Sequence, residues 1–145
     1  MIIMDNYQIT NYVTVEEYQT FRKSTNWKIF KDKQAKAGLE HSTYIVCIRL
    51  EGKAIAMARF LWDCGYIAYI ADVIVLPEFQ GKGLGRMLME NILAYIDQTI
   101  PKDYDLMISL VAAKGKNTFY EKFGFISRPN SEYGPGMHLF IDAIQ

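Results

Sequence analysis

Between Asp72 and Arg86 the chain runs from a β-branched apolar stretch through Leu76-Pro77-Glu78-Phe79 into Gln80-Gly81-Lys82-Gly83-Leu84-Gly85-Arg86, and no other segment limits the fold as much. Val73, Ile74 and Val75 favour a strand, Pro77 closes it, and an apolar period of helical type begins at Leu84. A helix that starts there presents its first four amides, which have no intrahelical acceptor, at the positive end of its dipole. Such a start holds an anion without any charged side chain. Gly81, Gly83 and Gly85 leave the backbone bare, so that phosphate oxygens can approach the N–H groups and the turn can adopt positive φ. Gln80, Lys82 and Arg86 add donors at the rim. Taken alone, the segment reads either as a pyrophosphate cradle or as a glycine-rich turn without a ligand. Its spacing is wrong for the G-x-G-x-x-G dinucleotide fingerprint, and Gly83 stands where a nucleotide-triphosphate loop needs Ser or Thr after Gly81-Lys82.

Upstream, Tyr7 to Thr10 is a short strand, and Thr14-x-x-Glu17 has the form of a capping box opening a helix through about Lys23. A second helix is expected from Asp32 to Glu40. Three strands follow, Tyr44 to Leu50, Ala54 to Trp62 and Tyr66 to Leu76, joined by turns at Glu51-Gly52-Lys53 and Asp63-Cys64-Gly65, which predicts an antiparallel meander. Leu84, Met87, Leu88, Ile92, Tyr95 and Ile96 share one helical face up to about Gln98. Beyond Pro101 the pattern predicts a strand from Leu106 to Val111, a short helix from Lys114 to Lys122, and a last hairpin pairing Phe125-Ile126 with Met137 to Ile141.

Half of the 145 residues are hydrophobic, enough for the core of one compact domain spanning residues 1–145. Sixteen basic and sixteen acidic residues cancel, so no overall field points to nucleic acid or to an anionic membrane. The apolar stretches are too short to span a bilayer and no basic-then-apolar leader opens the chain, so a cytoplasmic protein is expected. Cys47 and Cys64 lack metal-ligand spacing and read as reduced thiols; no metal is expected.

Gln80-x-x-Gly83-x-Gly85, placed after a Val-rich strand and Pro77-Glu78, resembles the acyl-CoA signature of the GNAT N-acetyltransferase superfamily. Asn117-x-x-Tyr120-Glu121-Lys122-Phe123-Gly124-Phe125 resembles that superfamily's second landmark, and the two occur in the family's order and at its spacing. The resemblance covers residues 43 to 141 and reaches the first third of the chain by pattern only. It implies a single α/β (α+β) domain with a mixed, mostly antiparallel sheet, splayed between the fourth and fifth strands and flanked by about four helices. It also implies acetyl-CoA as cosubstrate, without a metal. The backbone of Val73, Ile74 and Val75 would hold the pantetheine arm, residues Gln80, Gly81, Lys82, Gly83, Leu84, Gly85 and Arg86 the pyrophosphate, and Asn117 a further cofactor contact or the cap of its own helix. A homodimer through the final strands also fits the family. The resemblance departs at Ala71, where similar sugar-phosphate acetyltransferases carry a glutamate.

Direct acyl transfer needs a neutral amine, and an alkylamine with pKa near ~10.4 is neutral in about one molecule in 2,500 at pH 7, a cost of about 4.6 kcal/mol. Asp72 is the only side chain in its strand that is charged at neutral pH, and a buried carboxylate has either a chemical task or hydrogen-bonding partners. It reads as the base or as an acceptor of local hydrogen bonds. Tyr120 reads as a core aromatic beside Phe119 and Phe123 or, by resemblance, as the acid that protonates the departing thiolate. Trp27, Phe30, Trp62, Tyr66, Tyr69 and Tyr133 offer aromatic material for an acceptor pocket, the turn at Trp27 lying over the acceptor end in the family. His41 and His138 stand alone and are given no role. The expected activity is transfer of an acetyl group to a primary amine of a small molecule. The alternatives are an acetyltransferase for protein or peptide amino groups and a non-catalytic acyl-CoA-binding module.

Overall fold

The computed structural model describes residues 6–144, in the order β1 (Tyr7–Thr10), α1 (Val15–Ser24), α2 (Asp32–Glu40), β2 (Tyr44–Leu50), β3 (Lys53–Trp62), β4 (Ile67–Val75), α3 (Leu84–Thr99), β5 (Met107–Ser109) and α4 (Asn117–Glu121). One 3-10 turn, Pro77–Phe79, stands between β4 and α3. The chain divides into two units, Met1–Leu110 and Val111–Gln145.

In the first unit all five strands form one sheet in sequence order, antiparallel from β1 to β4 and parallel between β4 and β5. This is the expected mixed, mostly antiparallel α/β sheet. Its meander follows from local chemistry. Glu51 and Gly52 both take positive φ, 50° and 80°, which gives a two-residue turn of the hand that matches strand twist. At the next turn the Asp63 carboxylate accepts the amides of Gly65 (2.7 Å) and Ile67 (3.3 Å).

Residues Ile45–Arg49 of β2 are buried without alternation because helices cover both faces of the sheet. Leu84, Leu88, Met89 and Ile92 of α3 pack over β2, β3 and β4 on one side. Tyr18, Phe21, Ala35 and Leu39 of α1 and α2 are buried on the other. The buried stripe of α3 is turned from the expected one: Met89 is fully enclosed while Met87, Tyr95 and Ile96 are half-buried. Tyr95 instead stacks on Tyr44 with ring centroids 4.0 Å apart.

β4 pairs with β5 only from Ile67 to Tyr69, so its second half keeps β3 alone as a neighbour and the sheet opens there. The cause is a bulge. Arg59 pairs with Ala71 and Met57 with Ile74, which sets Asp72 and Val73 together against Ala58. Asp72 absorbs the extra residue at φ 53°, a left-handed conformation that Asp tolerates better than β-branched residues do.

The second unit holds α4, with Gly124 at φ 95° ending the turn after it and edge-to-face contacts linking Phe119 to Tyr120 and Phe123. The hairpin expected between Phe125-Ile126 and Met137–Ile141 is absent: neither segment is assigned to a strand. The intervening residues close on themselves instead. Asn130 Oδ1 accepts the amides of Glu132 (2.8 Å) and Tyr133 (2.9 Å), and Arg128 Nε donates to the Gly134 carbonyl at 2.6 Å.

The capping box forms as the sequence predicts, with Glu17 N donating to Thr14 Oγ1 at 3.1 Å and Thr14 N to Glu17 Oε1 at 3.0 Å. Glu17 also takes a forked ion pair from Arg49, at 2.6 and 3.0 Å, and Arg49 is only 7% exposed. The Arg49 hydrogen bonds hold the Glu17 carboxyl below its ordinary value of 4.5. A carboxyl with a lowered folded pKa stabilises the fold fully above its unfolded value, and that contribution disappears as pH falls through the folded value. Glu17→Gln should therefore lose about 2 kcal/mol at neutral pH and lack this component of acid destabilisation, as read from melting midpoints between neutral pH and pH about 3.

Candidate active site

The start of α3 has the features of an anion cradle. Gly83 is the N-cap at φ 83°, with no side-chain cap, and the first i→i−4 bond runs from Met87 N to the Gly83 carbonyl at 3.1 Å. The amides of Leu84, Gly85 and Arg86 therefore have no partner inside the helix. Gly81 sits at φ 77°, and a Cβ at either Gly81 or Gly83 would meet no atom within 4 Å. Space lies open above this backbone, while its conformation favours glycine. Gln80 Nε2 donates to the Val75 carbonyl at 3.1 Å and so fixes the turn to the end of β4. At the rim, Lys82 lies over the Phe79 ring (5.6 Å), and Arg86 donates to Glu90 at 2.7 Å with its side chain largely exposed. Val73 and Val75 are half-buried and Ile74 is 2% exposed, so Ile74 is a core side chain.

Asp72 is closely held. Its Oδ2 accepts from Tyr18 Oη at 2.6 Å and Arg59 Nε at 2.8 Å, and its Oδ1 from Arg22 Nη1 at 2.9 Å. All three donors and the carboxylate are largely buried. Arg59 continues to the Gly38 carbonyl (3.0 Å) and Ser42 Oγ (3.1 Å), and Arg22 to the Lys28 carbonyl (2.6 Å). Burial and the neighbouring Asp72 charge raise the Tyr18 pKa, which keeps the phenol protonated as a donor. This is the geometry of a carboxylate that accepts local hydrogen bonds, the second of the two readings of Asp72.

Of the aromatic residues picked out for the acceptor, Phe30 and Trp27 lie over the Arg22 guanidinium, at 4.3 and 5.6 Å from its carbon. Trp62 is held by its own hairpin through Nε1 and the Gly65 carbonyl at 2.7 Å, and Tyr133 packs on Arg128. Tyr66 and Tyr69 are exposed. His41 caps α2, its Nδ1 2.8 Å from the Ala37 carbonyl. Cys47 and Cys64 are both free; burial pushes the Cys47 thiol up to about 11 and makes it inert.

Tyr120 and Asn117 belong to the second unit. Tyr120 is half-buried, with the Phe119 ring at 4.9 Å and Phe125 at 6.2 Å, and its carbonyl accepts the Phe123 amide at 2.9 Å. Asn117 Nδ2 donates to Glu121 Oε1 at 3.2 Å, and that oxygen also accepts from Ser127 Oγ at 2.7 Å.

Sequence reasoning missed Tyr18, Arg22 and Arg59. A signal was present: Arg59 interrupts the apolar run Ala54 to Trp62, and Tyr18 and Arg22 are one helical turn apart on the face that meets the sheet. What the pattern could not supply was their common partner.

A five-stranded mixed sheet that opens beyond its fourth strand, with a glycine-capped helix directly after that strand, defines an acyl-CoA-dependent acyltransferase of the GNAT class. The chain belongs to this family: the family model described as Acetyltransferase (GNAT) domain matches residues 40–127. It is 30% identical over 129 residues to the uncharacterized N-acetyltransferase ycf52 of Porphyra purpurea, covering 86% of this chain and 72% of that one. It is 29% identical over 119 residues to the chloroplastic serotonin N-acetyltransferase 2 of Oryza sativa, covering 79% of this chain and 58% of the rice protein. Among solved structures, the Staphylococcus aureus protein SA2161 superposes with a TM-score of 0.82 at 27% identity, covering 93% of this chain and 99% of that one.

Removing the Asp72 charge leaves two guanidiniums buried without an anion. Asp72→Asn is expected to cost about 3 kcal/mol and to lower the melting midpoint by roughly 10 °C. An unchanged midpoint would show that the carboxylate does not hold these elements together.

Proposed function

We propose that the chain, acting as one domain over residues 1–145, transfers an acetyl group from acetyl-CoA directly to the primary amine of a small molecule. The observation that carries this reading is the start of α3, where Gly83 caps the helix with bare backbone and open space immediately after a strand whose second half has a free edge. Residues Gln80, Gly81, Lys82, Gly83, Leu84, Gly85 and Arg86 would hold the pyrophosphate. The edge of Val73, Ile74 and Val75 would take the pantetheine arm as a further strand takes its neighbour, and Asn117 would add a contact. These groups fit such a ligand, since bare amides and a basic rim suit phosphate and an open strand edge suits an amide-bearing chain. When bound, acetyl-CoA supplies an activated acetyl thioester.

Tyr120 is the proposed acid, a phenol that supplies the proton the leaving thiol needs. For Asp72, with both oxygens hydrogen-bonded, the geometry favours a positioning role over that of base. The two guanidiniums and one carboxylate carry a net positive charge, which disfavours an ammonium close to them and so favours the neutral amine, with water as the proton's exit. A small amine as acceptor is supported by the rice relative, which is named for serotonin. The proposed setting is cytoplasmic; the rice relative is named chloroplastic, and no helix among the described residues is long and apolar enough to cross a membrane.

Thermal unfolding with acetyl-CoA, CoA, ATP and NAD in parallel tests the cosubstrate. At ~100 times the dissociation constant, acetyl-CoA should stabilise the fold by about 2.7 kcal/mol, with CoA acting likewise and ATP and NAD inactive. No shift with either CoA species would defeat the reading. Tyr120→Phe should lower turnover on an amine panel, followed by thiol release, by roughly 10²-fold with acetyl-CoA affinity nearly unchanged. Undiminished turnover would remove Tyr120 from the mechanism.

A further inference from the structure

The cluster around Asp72 holds more positive than negative charge. Arg22 and Arg59 both turn to the one carboxylate, at 2.9 and 2.8 Å, and Tyr18 donates to it as a neutral phenol. Among the described residues no other acidic side chain pairs with either guanidinium. A single carboxylate matches a single guanidinium, and a largely buried cation without a counter-ion is costly to keep. The donors are also incompletely used. Arg22 donates from Nε to the Lys28 carbonyl and from Nη1 to Asp72, while Arg59 donates from Nε to Asp72 and from Nη1 to the Gly38 carbonyl and Ser42 Oγ. Neither Nη2 has a hydrogen-bond partner among the described residues. The buried side-chain atom left unpaired among those residues is Gln19 Oε1, so neither Nη2 is sealed in by the first unit.

We propose that Arg22 and Arg59 together bind a carboxylate carried by the acceptor, so that the substrate is an amino acid, a small amine with an acid group, and not a simple alkylamine. The proposal rests on the acetyl transfer argued above, and that reading gives the cluster its place. With the pyrophosphate at Gln80 to Arg86, an arm laid along Val75, Ile74 and Val73 in that order brings its acyl end to Asp72, the next residue back along β4. Two guanidiniums with unused N–H groups therefore stand where the acceptor enters. Their planar forks suit a carboxylate, and the Trp27 and Phe30 rings, 5.6 and 4.3 Å from the Arg22 carbon, displace water that would weaken the pairing. A bound carboxylate brings the cluster to two cations and two anions. In water the acceptor's own carboxylate stabilises its ammonium; the excess charge of the cluster offsets that effect, and the preference for the neutral amine is kept.

Matched acceptors that differ by the carboxylate test the proposal: β-alanine against ethylamine, γ-aminobutyrate against n-propylamine and tryptophan against tryptamine, with aminoethyl phosphate as an anion of another shape. In thiol release, kcat/KM should favour the carboxylated member of at least one pair by about 10-fold or more. Equal values within every pair, or a preference for aminoethyl phosphate over all three acids, overturn it. Arg22→Lys keeps a charge beside Asp72 but removes the unused fork. It should bring the preferred pair to within about 2-fold of equality by raising KM for the acid, with the acetyl-CoA thermal shift retained. An undiminished preference overturns the assignment, and if this variant fails to fold, the pairs on the unaltered chain decide. Melting midpoints of the unaltered chain with the same pairs at fixed ionic strength read the site without turnover: an acid should raise the midpoint where its matched amine does not. Absence of thiol release and of any CoA shift would count against acetyl transfer, and the midpoints with acid and amine would still decide whether a carboxylate binds.

Discussion

The Asp72 carboxylate is the tie on which the arrangement of the first unit depends. It lies at a bulge where β4 holds one residue more than β3 opposite it, and it meets Tyr18 and Arg22 from α1 and Arg59 from β3. Through Arg59 the tie reaches the end of α2 at Gly38 and Ser42. Two helices and two strands are thus referred to a single buried anion, and a positive φ at that residue is sustained because its side chain is held from three directions. The bulge turns the second half of β4 away from β5, and the open edge that results leads directly into the glycine turn.

Most of the fold was legible from the sequence because each element carried its own punctuation. The Thr14-x-x-Glu17 box, the Glu51-Gly52 turn and the glycines before Leu84 are local signals, and the structure contains each of them. The bulge was not legible. Ala68, Ile70, Ile74 and Leu76 are all buried and all fall on even positions, so apart from Asp72 the strand reads as a single alternation. Ile70, however, pairs with Phe60 and Ile74 with Met57. Those partners are three residues apart and face opposite sides of β3, so Ile70 and Ile74 do as well. An inserted residue preserves the appearance of the pattern while exchanging the faces, and only the pairing reveals it.

The second unit failed the sequence reading for a different reason. Met137 to Ile141 has the composition and period of a strand, but composition does not name a partner. Asn130 and Arg128 close the intervening loop locally, and Phe125-Ile126 is left outside any ladder. A strand signal without an intramolecular ladder remains a statement about burial and names no partner.

The site reading follows from how the buried charges are distributed. A free carboxylate beside the acceptor would have made Asp72 the simplest proton acceptor, and the sequence left that role open. Asp72 instead accepts three hydrogen bonds from donors on α1 and β3, and in the proposed mechanism it holds α1 to the sheet. The cost of about 4.6 kcal/mol for neutralising an alkylamine is then better met by surroundings that disfavour the ammonium than by a group that removes its proton. In the proposed reaction, Arg22, set among Tyr18, Trp27 and Phe30, and Arg59 would provide such surroundings. On this reading the charge that shapes the sheet also selects the protonation state of the acceptor, and one cluster links the fold to the chemistry.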